Sequence, residues 1–239
     1  MSTASPILES AFRTEEGTRL ASTVWRAGDG WRAVSSALVG GGIGPVRWVL
    51  NAQVPGGYAR TDPVAHLAEL ASSHGLDGPG VGMLTAAAVD RTVRGADGGV
   101  GAAATVGLRV PTWAAAPDGA PDPELAPMLL DRPPRPRPAW HPGTINILAV
   151  IPVPLTDAAL VNAVITVTEA KTQALLEAGY PCTGTASDAV CVAVPESGPE
   201  PPEPFAGPRS PWGSRLARAV HAAVHAGAVG YTALLAGRD

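Results

Sequence analysis

Two short runs, INILAVI at residues 145–151 and DAVCVAV at residues 188–194, are apolar on both faces, the pattern of strands buried in the middle of a sheet. Residues 156–178 lie between them and read as a helix. Thr156 offers a hydroxyl at the N-cap, Asp157 stands in the first turn, and Gly179 falls just past the end. A strand, a helix and a second strand in this order form a βαβ unit with a right-handed crossover, so the two strands are expected to run parallel. The fold must therefore cover both faces of this sheet.

The helix carries a second constraint. Of seventeen basic residues, sixteen are arginine and one, Lys171, is lysine. At about 100° per residue, Leu160, Ala163, Val164, Val167, Ala174 and Ala178 form one stripe, while Asn162, Thr166, Glu169 and Gln173 face the other way. Lys171 falls within the apolar stripe. An ammonium there must snorkel out, meet a carboxylate, or sit in a cleft with a lowered pKa. Lys171 lies about 22 Å along the helix at about 1.5 Å per residue, which returns it to the start of the first strand. The expectation is that Lys171, Thr144, Asn146 and Asp188 converge at one sheet edge. That is the N-terminal edge, whereas doubly wound nucleotide-binding folds place ligands beyond the C-terminal ends of their strands. The loop CTGTASD, entering the second strand, adds Thr183, Gly184, Thr185 and Ser187, hydroxyls and close backbone approach suited to orienting an amide or carbonyl.

The rest of the chain orders itself around turns. Residues 19–26, 32–39 and 45–54 read as strands of a meander, 61–74 as a helix with Val64, Leu67, Ala68 and Ala71 on its apolar face, and 81–89 and 99–108 as an antiparallel pair. Residues 211–236 read as a capping helix with Leu216, Val220, Val224, Tyr231 and Leu235 on one stripe. Its Arg215, Arg218, His221 and His225 argue against a membrane span. Pro-rich stretches at about 114–142 and 195–204 read as excursions from one domain spanning 1–239. A formal charge of -4 supplies no basic patch for nucleic acid. His221 and His225 are four apart but show no third ligand, so no metal is expected, and His141 is a candidate proton shuttle. The N-terminal residues do not read as a signal peptide, so Cys182 and Cys191 are expected to be reduced thiols in a cytoplasmic protein.

GTINI, TEAK and TGTASDAV, spaced as they are here, resemble the adenosylcobinamide amidohydrolases of corrinoid salvage. SSALVGGGIGPVRWVLNAQV at 35–54, VGMLTAA at 81–87 and FAGPRSPWGSRLARAV at 205–220 resemble that family's flanking blocks, and together the blocks cover about two thirds of the chain. Ser187 stands where the pattern leads one to expect threonine, and VGLRVPTW at 106–113 departs from it too. The resemblance implies hydrolysis of the amide that joins the aminopropanol arm to the corrin ring, giving adenosylcobyric acid. Cobalt would then enter only within the substrate, and no separate cofactor is implied. A non-catalytic corrinoid-binding module and an amidohydrolase acting on a different amide are the alternatives, and self-association stays open. A fainter similarity of the GTI and TASDAV blocks, to ornithine acetyltransferases and β-peptidyl aminopeptidases, adds a layered α/β/β/α sandwich as one form of the expected α+β fold, with mixed sheets covered by helices.

On this reading Lys171, paired with Asp188, activates or orients the nucleophile, which is Thr85 or a water held by Thr144. Asn146, Thr183 and the backbone around Gly184 supply oxyanion donors, with the Thr185 hydroxyl beside them. Asn51 and Glu169 are the remaining candidates for substrate contact.

Overall fold

The computed structural model describes residues 6–119 and 143–236. In chain order its strands are β1 (Leu8–Glu15), β2 (Thr18–Arg26), β3 (Trp31–Ser35), β4 (Gly42–Pro45) and β5 (Trp48–Gln53), followed by helix α1 (Pro63–Ser73). Then come β6 (Gly80–Thr85), β7 (Val93–Asp97), β8 (Val100–Val106), β9 (Pro111–Thr112), β10 (Ile145–Val150), α2 (Asp157–Glu177), β11 (Gly184–Thr185), β12 (Ala189–Pro195) and α3 (Pro211–Ala236). The protein is α+β. One sheet is ordered β1-β2-β5-β6, the other β4-β3-β12-β10-β8-β7, and β9 and β11 form a separate short ribbon.

Alternation along β10 explains how the sheets stack. Successive strand side chains point to opposite faces. Ile145, Ile147 and Ala149 pack with Leu160, Val167, Leu216 and Val220 of α2 and α3, while Leu148 and Val150 pack with Val49, Val81 and Met83 of the first sheet. On the outer side of the first sheet, Leu50 and Ala52 meet Leu67, Leu70 and Ala71 of α1. The order of layers is thus α1, four-stranded sheet, six-stranded sheet, then α2 with α3. β10 is buried along its whole length, between β12 in parallel and β8 antiparallel. This is the parallel unit expected from the two apolar runs.

The pairing of the other strands departs from expectation. β2 and β5 pair with each other in the first sheet while β3 lies in the second, so residues 19–54 cross between sheets and do not form a meander. β6 runs parallel to β5, with α1 as the crossover, whereas β8 belongs to the other sheet, so the expected antiparallel pair of 81–89 with 99–108 does not form. Strand propensity locates a strand, but its partner depends on burial by the whole assembly. On α1, His66, Leu67, Leu70 and Ala71 are buried while Val64 and Ala68 are exposed, a rotation of the apolar face expected from sequence.

α2 begins where the hydroxyl at Thr156 accepts from the Ala159 amide. Its buried side includes Thr166, which donates to the Ala206 carbonyl at 2.8 Å, a correction to its expected place on the polar face. A satisfied hydroxyl can be buried at little cost. α3 is long and apolar enough by composition to cross a membrane, and here its stripe of Leu216, Ala219, Val220, Ala223 and Val224 is buried in the cluster shared with β8, β10 and α2. Its approach to β7 is close: a Cβ on Gly95 would stand 2.2 Å from the Ala219 carbonyl oxygen. The 195–204 stretch is tied down, since the Thr156 amide donates to the Glu203 carbonyl and the Glu203 amide to that of Pro154. The proline-rich residues from 120 to 142, with His141 among them, lie outside the described residues.

Candidate active site

The start of β12 is held to the start of β10 by one carboxylate. Lys171 Nζ donates to Asp188 Oδ2 at 2.5 Å, and the side chains are 9% and 10% exposed. The Thr185 amide donates to the same oxygen at 3.1 Å, while Oδ1 accepts from the Ile145 amide at 2.9 Å and the Thr185 hydroxyl at 2.5 Å. Two oxygens thus take four donors, which is the full acceptor capacity of a carboxylate. The apolar stripe of α2 is where Lys171 lies, as its spacing predicts, and the pairing offsets the cost of burying its charge. Gly184 lets the three side chains meet. A Cβ there would fall 2.3 Å from Asp188 Oδ2 and 2.5 Å from Lys171 Nζ.

Cys182 is buried in the same core cluster, and burial above all, with the Asp188 charge adding to it, pushes its thiol up to about 11. A thiol so held is protonated near neutrality and is a poor nucleophile.

The other face of the same sheet end is built from hydroxyls and amides. Thr144 Oγ1 and Ser187 Oγ lie 2.7 Å apart, Thr144 buried and Ser187 exposed. Deeper in, Asn146 Nδ2 donates to Asn51 Oδ1 at 2.8 Å and to the Leu84 carbonyl at 3.2 Å. Asn51 Nδ2 donates to Thr105 Oγ1 at 2.8 Å, and Thr105 and Thr92 hydroxyls are 2.7 Å apart. Asn146 Oδ1 is buried with no hydrogen-bond partner. Turning this amide over would aim its oxygen at Asn51 Oδ1 and the Leu84 carbonyl, so the assignment follows from the network. Asn146 therefore lies between the sheets, across the strand from Lys171. The expected convergence holds for Lys171 with Asp188 and fails for Asn146, because period-two alternation sends its side chain to the opposite face from Ile145.

Thr85 is 2% exposed and its hydroxyl accepts from the Ala87 amide at 2.9 Å. Thr183 is turned toward β9, donating to the Thr112 carbonyl at 3.1 Å and accepting from the Ala114 amide at 2.8 Å. Glu169 is exposed on the outer face of α2, in a shallow depression of about 530 Å³ with Gln173, Leu176 and Glu177. That depression is lined by α2 residues alone, and none of Thr144, Ser187, Asn51 or Asn146 is among them.

A cleft of about 240 Å³ opens where the sheets part, lined by Gln53, Gly56, Ala87, Gly107, Arg109 and Gly143 among others. The Gly107 amide donates to the Thr144 carbonyl at 3.0 Å, joining the cleft wall to the hydroxyl pair. Ser187 enters the sequence reading as one hydroxyl of the CTGTASD loop, without its pairing to Thr144, and Arg109 does not enter it as a candidate. The loop CTGTASD signalled the first; nothing in sequence ties residue 109 to residue 143. His221 Nε2 lies 2.7 Å from Glu177 Oε2, and its ring stacks on that of His225. Among the described residues no group of three or more His, Cys, Asp or Glu side chains is placed to hold a metal.

The hydroxyl pair and the neighbouring cleft thus lie at one end of a sandwich of two sheets between helices, where hydroxyls can orient a bound carbonyl or water. The chain belongs to the adenosylcobinamide amidohydrolase family, whose model matches residues 7–236. It is thus an amidohydrolase. It is 31% identical over 204 residues to the adenosylcobinamide amidohydrolase of Methanosarcina mazei, covering 82% of this chain and 90% of that protein. It is 37% identical over 148 residues to the protein of the same name from Halobacterium salinarum, covering 60% of this chain and 56% of that protein. The solved structure of the PH0078 protein from Pyrococcus horikoshii OT3 is similar at a TM-score of 0.44 and 13% identity, over 93% of this chain and 84% of that one.

Proposed function

We propose that this protein hydrolyses the amide between the aminopropanol arm and the corrin ring of adenosylcobinamide, releasing adenosylcobyric acid for cobalamin salvage. The observation that carries the reading is the Thr144–Ser187 hydroxyl pair beside the cleft, in a chain whose relatives bear this activity in their names. A cleft of about 240 Å³ suits an extended arm and not the macrocycle, since whole drug-sized ligands take about 300 Å³ or more. The corrin ring then rests outside and the scissile amide enters.

The attacking group is a water held by the Ser187 and Thr144 hydroxyls. Ser187 is exposed and can take part in the exchange of water, whereas Thr85 is buried and already accepts a backbone amide. Lys171 and Asp188 act as a positioning pair. Asp188 has no acceptor capacity left for a substrate proton, but it fixes residues 185–188 and so sets Ser187 against Thr144. Asn146 and Asn51 form the polar floor between the sheets that keeps the ends of β5, β6 and β10 in register. Glu169 and Thr183 lie outside this arrangement.

Incubation of the purified protein with adenosylcobinamide should release aminopropanol, detected by mass spectrometry, together with a corrinoid acid. Tight corrinoid binding without release would instead favour the non-catalytic binding module.

A further inference from the structure

The family name specifies an amide but not what holds the charge that its cleavage creates. Hydrolysis converts a neutral amide into a carboxylate, by way of a tetrahedral oxyanion. In the cleft the described lining is Ala, Gly, Leu, Gln53 and Tyr231, and the charged side chain among them is that of Arg109. Other arginines of the molecule are committed to carboxylates: Arg13 to Glu15, Arg26 to Glu9, Arg32 to Asp157, Arg47 to Asp29, Arg60 to Asp62 and Arg218 to Asp97. Arg109 is half-buried and has no such carboxylate among the described residues. A guanidinium beside apolar walls is poorly screened by water, and its planar fork matches the two oxygens of a carboxylate.

Backbone packing places it near the reacting end. Gly143, which precedes Thr144, is pressed against residues 107–109: a Cβ there would stand 2.3 Å from the Gly107 carbonyl oxygen and 2.9 Å from the Arg109 amide nitrogen. Arg109 thus stands in the bend between β8 and β9, where the backbone abuts Gly143, the residue before Thr144. We infer that Arg109 is the anion anchor of the cleft, gripping the carboxylate formed by amide cleavage and, before it, the oxyanion. Because the intact amide is neutral, Arg109 discriminates product and transition state from substrate, and product release becomes a step that it slows.

This inference rests on the amidohydrolase reading, and its test is chosen to separate the two. Equilibrium dialysis measures the affinity of the parent, Arg109→Gln and Arg109→Lys for adenosylcobyric acid and for adenosylcobinamide, with circular dichroism confirming that each variant is folded. The expected result is that Arg109→Gln binds the acid at least about tenfold more weakly while its affinity for the amide stays within about threefold, the order of one lost charge-assisted contact. Arg109→Lys should retain most of the acid affinity by keeping the charge. Equal weakening of both ligands, or no change in either, would overturn the anchor role. These binding measurements need no turnover. A parent that releases no aminopropanol yet shows the selective loss would sink the hydrolysis reading alone; an active parent with no selective loss would sink the inference alone.

Discussion

The two faces of one sheet end contrast in how they use their polar groups. On the helix side, Lys171, Asp188 and Thr185 are mutually satisfied, with four donors on two carboxylate oxygens. On the side facing the other sheet, Asn146 Oδ1 has no partner, and the Thr144–Ser187 hydroxyls reach the surface through Ser187. A saturated network makes structure, because every capacity it has is already spent on the fold. The Thr144–Ser187 pair, which reaches the surface through Ser187, is the part of that side open to a substrate. In the function proposed above the ion pair is the scaffold and the hydroxyls do the chemistry, although the lone lysine is the more conspicuous feature of the sequence.

The largest effect should come from breaking the saturated side. Lys171→Met leaves the Asp188 carboxylate at 10% exposure without its cation. Removing one partner of a buried pair costs about 3–5 kcal/mol, so the melting temperature should fall by roughly 10 °C in a chain of this size. The double variant Lys171→Met with Asp188→Asn should regain part of that loss, because no unpaired charge remains. A Lys171→Met protein as stable as the parent would erase the distinction between the two faces.

A smaller effect sharpens the same contrast. Burial raises the Cys182 thiol from 9.0 to about 11 and that of Cys191 to about 12. A raised folded pKa means that the native state keeps protons which the unfolded chain gives up, so this stabilisation is complete below about pH 9 and is lost as pH rises through 11. Iodoacetamide at pH 8 should therefore leave both thiols unmodified in the native protein and label both in urea, read by mass spectrometry. Rapid labelling of native Cys182 would show that the helix-side network is open to solvent.

Much of the helix-side arrangement was legible in the sequence, because it depends on periodicities within one βαβ unit. The 3.6-residue repeat put Lys171 on the buried stripe, and the rise of the helix put it beside Asp188. The inter-sheet side was harder to read. Asn51, Thr92, Thr105 and Asn146 meet only because β5, β8 and β10 belong to stacked sheets, and strand propensity does not say which sheet a strand joins. The expected convergence of Asn146 with Lys171 rests on level along the strand, whereas alternation sends the Asn146 side chain between the sheets. The crossover of α1 between β5 and β6 was missed for a related reason: each element was recognised, but not that two of them run parallel.

The most direct test compares aminopropanol release from adenosylcobinamide by the parent, Thr144→Val and Ser187→Ala. Both substitutions remove a hydroxyl that is not needed by the ion pair, and each should cost only about 1 kcal/mol of stability. The account predicts that release slows by about a hundredfold or more, the order expected when a group that positions or relays a proton is lost, with the melting temperature within a few degrees of the parent. Near-parental turnover in both variants would contradict it and return the chemistry to the Lys171–Asp188 side of the sheet.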